Sequence, residues 1–108
     1  MQKIEKNNIY DNIPESLPKE LIETLEKTNN VKIERIISRG HVTADNKWYN
    51  QDKNEFVLLL EGHAKILFED NSIISMEKGD YIKIPKNTKH KVTETSKSPK
   101  ALWLTIFY

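Results

Sequence analysis

The chain has no cysteine, only three glycines and almost no net charge, and each shortage removes a class of answer. Without cysteine there are no disulfides, no thiolate ligands and no nucleophilic thiol, so the protein needs no oxidising compartment. Lys and Arg number 17 against 16 Asp and Glu, a balance of +1 that lacks the basic excess with which nucleic-acid binders neutralise phosphates. Long apolar runs are missing too, since nothing approaches the roughly 20 residues of a membrane-spanning helix. Met1 to Tyr10 mixes Lys3, Glu5 and Lys6 among its apolar residues, unlike a secretory leader. Glycine-rich phosphate loops, Ser-His-Asp arrangements and paired glycosidase carboxylates are also absent as patterns. What is present is 108 residues, enough for one core, with 37% hydrophobic against 31% charged residues and a mean hydropathy of −0.67. The expectation is one soluble cytoplasmic domain with neither nucleic acid nor a membrane as partner.

Two segments differ in pattern. Residues 1–30 begin with Asn7, Asn8, Asp11 and Asn12, then place Pro14 and Pro18 close together, and read as an extended arm. Within it Leu21, Ile22 and Leu25 recur at helical spacing after Pro18 and before Asn29 and Asn30, which predicts a short helix over Lys19 to Lys27. From Val31 to the end, residues 31–108, short runs of β-branched and aromatic residues alternate with turn residues, the pattern of an all-β sandwich or barrel. The expected strands are Val31–Ser38, Glu55–Leu60, His63–Glu69, Ser72–Met76, Tyr81–Ile84, Lys89–Thr95 and Leu102–Phe107.

Glu61 and Gly62 suggest a two-residue hairpin that sets Leu60 opposite His63. Glu55, Val57 and Leu59 would then share one face with Ala64, Ile66 and Phe68, while Phe56, Leu58 and Leu60 lie on the other. Both faces of the first of these strands are apolar. The second face therefore needs a cover, either the amino-terminal arm or another copy of the chain, and a homodimer is expected.

The segment from Gly79 to His90 carries the strongest signal. Gly79, Pro85 and His90 stand at the spacing G-x5-P-x-G-x2-H, with Asn87 at the second glycine, and Asn tolerates the left-handed backbone such a turn needs. Upstream, Glu55 is followed by Gly62 at the spacing E-x6-G. These two stretches resemble the second motif and the latter half of the first motif of the cupins, over about Arg39 to Thr95. The likeness implies a small single-domain cupin, a jelly-roll β-barrel of the double-stranded β-helix type. Two departures stand out. Glu94 occupies the closing Asn position of the second motif, and Tyr49 and Gln51 stand where the first motif has its two histidines.

Cupin barrels generally hold a divalent metal through the histidines and glutamate of these motifs. The resemblance thus implies a site of Gln51, Glu55 and His90, with Tyr49 nearby and Glu55 and His90 as candidate catalytic groups. A Gln amide oxygen is a poor donor beside imidazole, so zinc, nickel, manganese or iron would bind more weakly than in a full site. The two-His-one-carboxylate pattern of non-haem iron oxygenases is not met. A Glu55 buried without metal or basic partner would be pushed toward protonation, a route to acid–base chemistry in a metal-free barrel. Trp48, Tyr49, Val57, Ile66 and Phe68 are the candidate walls of a small-molecule pocket. His63 falls on the face opposite Glu55 and reads as a surface residue, and lysines 83, 86, 89, 91, 97 and 100 read chiefly as a solvated face. The function expected is small-molecule binding in a cupin barrel with a weak divalent-metal site, or a metal-free binding or sensing module without catalysis.

Overall fold

The computed structural model describes residues 2–108, and they form eight strands and no helix. In chain order these are β1 (Leu21–Lys27), β2 (Lys32–Ser38), β3 (Glu55–Glu61), β4 (His63–Phe68), β5 (Ile73–Glu77), β6 (Tyr81–Ile84), β7 (His90–Thr95) and β8 (Ala101–Phe107). They make an antiparallel sheet of five in the order β1-β2-β8-β3-β6 and one of three in the order β5-β4-β7. The seven expected strands from Val31 onward all form, within a residue or two of their expected ends.

The predicted helix over Lys19 to Lys27 is instead strand β1. Nine residues are too few to hold a helix in water without tertiary support, whereas β1 gains a ladder with β2, from Leu21 opposite Ile37 to Lys27 opposite Lys32, interrupted by one bulge at Leu25. The spacing that suggested a helix, Leu21 to Leu25, is an even number and so suits a strand face as well. In the strand, Leu21 packs with Leu17, Ile37 and Leu102 outside the barrel, and Ile22, still half-exposed, turns to the opposite face at the rim of the cavity. Residues 21–27 therefore belong to the sheet, and the arm ends at Glu20.

The expected hairpin at Glu61 and Gly62 is also corrected. β3 pairs with β6 and β8, while β4 pairs with β5 and β7, so Gly62 is the corner where the chain leaves one sheet for the other. Gly62 has φ +83°, and a Cβ there would lie 2.9 Å from the Lys100 carbonyl oxygen and 3.0 Å from the Ala101 Cα. The face assignment survives because a corner keeps the alternation. Glu55, Val57, Leu59, Ala64 and Ile66 are all buried, and Phe68 is half-buried. With Met76, Ile84, Ala101 and Trp103 the apolar members of this set form the core between the sheets.

The other face of the larger sheet is covered in part by the arm. Ile13 and Leu17 pack with Ile37, Leu60 and Leu102, which covers the Leu60 end of the apolar back of β3. Phe56, on the same back, stacks on Tyr81 at 5.2 Å between ring centroids. Arg35, buried on the outward side of β2, ties the arm down. Its guanidinium donates to the main-chain carbonyls of Ile9, Asp11 and Asn12, and its Nε donates to Glu23 at 2.7 Å.

Two outcomes follow from this packing. Gly62→Ala should lower the melting temperature by roughly 5–15 °C, because the left-handed backbone alone costs an L-residue about 1–2 kcal/mol. Differential scanning calorimetry measures this. Arg35→Leu should leave the two sheets folded but free the arm, seen as early protease cleavage within residues 2–20 and loss of amide protection there.

Candidate functional site

Alternation along the larger sheet decides what its inner face offers. On β2 the inward residues are Glu34, Ile36 and Ser38, on β8 Trp103 and Thr105, and on β3 Glu55 and Val57. Glu20 and Ile22 extend the same face onto β1, and Ile84 does so from β6. Opposite them the smaller sheet presents Ile66, His90 and Val92. Together they line a cavity of about 100 Å³ between the sheets, apolar over most of its wall and polar at a few points.

Glu55 and His90 meet in this cavity. Both are buried, 8% and 5% exposed, and His90 Nε2 lies 3.3 Å from Glu55 Oε1. The turn before β7 places His90. Asn87 takes φ +62°, its N–H bonds to the Gln51 carbonyl at 2.6 Å, and the main chains of Tyr49 and His90 exchange two hydrogen bonds at 2.8 and 3.0 Å. The expected substitution of Asn for Gly at this turn thus preserves the backbone. His90 Nδ1 donates to the Thr88 carbonyl at 2.9 Å, so a neutral ring presents the lone pair of Nε2 to the carboxylate. Two acceptors facing each other in a buried site require a proton or a cation between them. Oε1 indeed has no well-directed hydrogen-bond partner. Burial by itself would lower the His90 pKa, but bonding to Glu55, the Thr88 carbonyl and the carboxylate charge outweigh it and raise the pKa above the usual imidazole value.

Tyr49 lines the cavity mouth, its ring 5.7 Å from that of His90. Its hydroxyl pKa is raised by burial and by the nearby carboxylates of Glu20, Glu55 and Glu34, against a hydrogen bond from Thr43. Gln51, Val57 and Ile66 line the cavity as well. Phe68 stands behind His90, 6.2 Å from its ring, and does not reach the cavity wall. Trp48 lies outside, 40% exposed, with the Lys91 ammonium 4.4 Å over its ring. It precedes the residue that bridges to His90, so alternation turns it outward. His63 is on the surface beside Glu94 at 3.6 Å, which gives the departing motif residue a partner there.

The residues can be weighed against the metal that the motifs imply. Glu55 and His90 converge and Gln51 is on the same wall, yet among the described residues no three His, Asp or Glu side chains are grouped as ligands. The donor set is one imidazole, one carboxylate and one amide, a set for weak binding at most.

Sequence reasoning missed Glu20, Glu34 and Thr105. Glu34 was legible from the alternation Glu34-Ile36-Ser38, whereas Glu20 was hidden by the helix reading and Thr105 by having no chemistry of its own. The Glu20 pKa is raised by burial, with the Glu34 charge adding to it and His41 and Ser38 opposing. A raised carboxyl pKa in the folded state means that this group's contribution to stability is most favourable below its ordinary value of 4.5 and is lost as pH rises through the shifted value. Glu20→Gln should therefore melt above the wild type at pH 7.5, and the two should converge below pH 4.5 in melts followed by circular dichroism.

Comparison with known proteins agrees with this architecture. Residues 37–107 match the family model described as "Cupin domain". The chain is similar to the crystal structure of a candidate mannose-6-phosphate isomerase from Ralstonia eutropha JMP134, at 30% identity and a TM-score of 0.90, with 95% of this chain and 96% of that one covered. It shares its fold with a cupin superfamily protein from Desulfitobacterium hafniense DCB-2, at 20% identity and a TM-score of 0.73, covering 88% and 82%. An RmlC-like cupin from Desulfovibrio desulfuricans gives 17% identity and a TM-score of 0.70, covering 97% of each chain. No curated protein matches the sequence. The motif spacing, the two facing sheets and the matched family model agree, and the chain belongs to the cupin domain family.

Proposed function

We propose that this cupin barrel binds a small organic molecule between its sheets and that Glu55 and His90 hold or transfer a proton against it. The observation that carries this reading is the buried, imperfectly bonded Nε2–Oε1 contact in a cavity that is otherwise largely apolar. Thr88 fixes the ring so that Nε2 is the titrating nitrogen, and the surrounding apolar wall strengthens any charge interaction inside it. One fold hosts many activities, so the reaction has to be read from these groups rather than from the barrel.

The name of the Ralstonia neighbour points to a phosphorylated hexose as a substrate class. The cavity lining contains no Lys or Arg to meet a phosphate, and it contains three carboxylates. Mannose-6-phosphate at millimolar concentration is therefore expected to leave the melting temperature unchanged.

A second reading is favoured by the same acceptor-to-acceptor contact, which a divalent metal would relieve as well as a proton does. Gln51, Glu55 and His90 would hold it, and it would supply Lewis acidity to a bound ligand. Elemental analysis and melts with zinc, nickel, manganese and iron(II) separate the two, since a ligand specific to the native state raises the melting temperature by mass action. The metal-free reading expects no stoichiometric metal and no shift. Metal that co-purifies and disappears in His90→Ala would replace it with the second. In either case His90→Ala should cost on the order of 3 kcal/mol, because it leaves the buried Glu55 carboxylate alone, and Glu55→Gln should cost less.

A further inference from the structure

Beyond Glu55 and His90, the rest of the cavity wall bears on the chemical class of the ligand. Besides Glu55 the wall carries Glu20, the last residue before β1, and Glu34 on β2, both outside the motif-bearing segment. Glu34 is 9% exposed, and its single basic neighbour is Lys32, 3.4 Å away on a half-exposed side chain beyond the wall. Glu20 makes no salt bridge to any Lys or Arg among the described residues, its neighbours being the Ser38 hydroxyl and His41. Carboxylates placed in an apolar enclosure are costly unless something cationic meets them.

A second, independent observation points to an occupant. Among the described residues, two buried side-chain polar atoms lack a well-directed hydrogen bond, Glu55 Oε1, which faces His90 Nε2 at 3.3 Å, and Thr105 Oγ1, which has no partner, and both residues line this one cavity. Thr105 is 2% exposed and stands in register between Glu34 on β2 and Val57 on β3. Buried hydroxyls are normally bonded, so an orphan on a cavity wall is an open bonding position for a bound molecule or water. The carboxylates do not form a cage for a single metal ion, because no three are grouped as ligands. Glu34 and the β2 residue level with Glu20, Ser38, are four residues apart, roughly 13 Å of strand. A cation of several atoms reaches such a wall better than a point charge does. Between the carboxylates the wall is hydrocarbon and indole, from Ile36, Val57 and Trp103.

We propose that the ligand is a small organic ammonium compound, its cationic head drawn by Glu20 and Glu34, its apolar body against Ile36, Val57 and Trp103, and its hydrogen-bonding group at Thr105. This rests on the cavity being the binding site.

Isothermal titration at pH 7.5 with three probes of matched shape, n-butylamine, 1-butanol and butyrate, tests both statements separately. The amine should bind at least ten-fold more tightly than butyrate, and Glu20→Gln with Glu34→Gln should weaken the amine at least five-fold while leaving butanol unchanged. Should the double variant fail to fold, Glu20→Gln alone at its less buried position reads the same effect. Thr105→Val should weaken 1-butanol, whose hydroxyl is the group that can bond there, and leave n-butylamine within two-fold. If butanol binds and the amine binds no better, the ammonium assignment is overturned and the cavity stands as a site. If none of the three binds, both fall. Butyrate binding as tightly as the amine would show that the carboxylates do not select charge.

Discussion

Strand β8 is the constraint on which the rest of the molecule depends. It pairs with β2 along the whole of one edge and with β3 from Leu102 to Phe107 along the other, and all but two of its residues are buried. Nothing else joins the amino-terminal pair β1-β2 to the motif-bearing strands within the larger sheet. Because antiparallel register is fixed by the pleat, one set of alternate residues, Trp103, Thr105 and Phe107, must face inward together with Glu34, Ile36, Glu55 and Val57. A slip of one residue in either ladder would turn this set outward. The cavity is therefore a property of three strands in register, and its chemistry comes from both ends of the sequence.

That origin explains what was legible beforehand. Turn residues and β-branched runs marked seven strands, and motif spacing brought Glu55 and His90 to one point because the turn from Pro85 to Thr88 is a local structure. Asn87 was readable for the same reason, its conformation being set by its own backbone. β1 was not readable, since LIETLEK fits two periods and only the free edge of β2 decides between them. Nor was the separation of β3 from β4, because Gly62 serves a hairpin or a corner equally well and what selects the corner is contact with Ser96 and Lys100, more than thirty residues away. Thr105 could not be singled out at all, since an orphan hydroxyl is defined by what its neighbours fail to offer.

The barrel also shows how a family likeness and a site can diverge. The motif strands supply one carboxylate and one imidazole where the family pattern has a fuller ligand set, while the strands outside the motifs supply two further carboxylates. The electrostatic character of the interior is therefore set largely by residues that the family pattern does not mention. Substitutions at Glu20 and Glu34 would change the charge that a ligand meets without disturbing the core cluster of Val57, Leu59, Ile66 and Trp103.

Arg35 holds the arm through the main-chain oxygens of residues 9, 11 and 12, and asks nothing of their side chains. An anchor of that kind is blind to sequence. Ile9 and Asp11 are free to drift across generations while the strap stays fastened, and Asn12, with φ +57°, is the one position of the three where the backbone itself restricts the choice. Variation should therefore accumulate in the arm without accumulating in its position, and Arg35, a residue far from any chemistry, should be among the slowest to change.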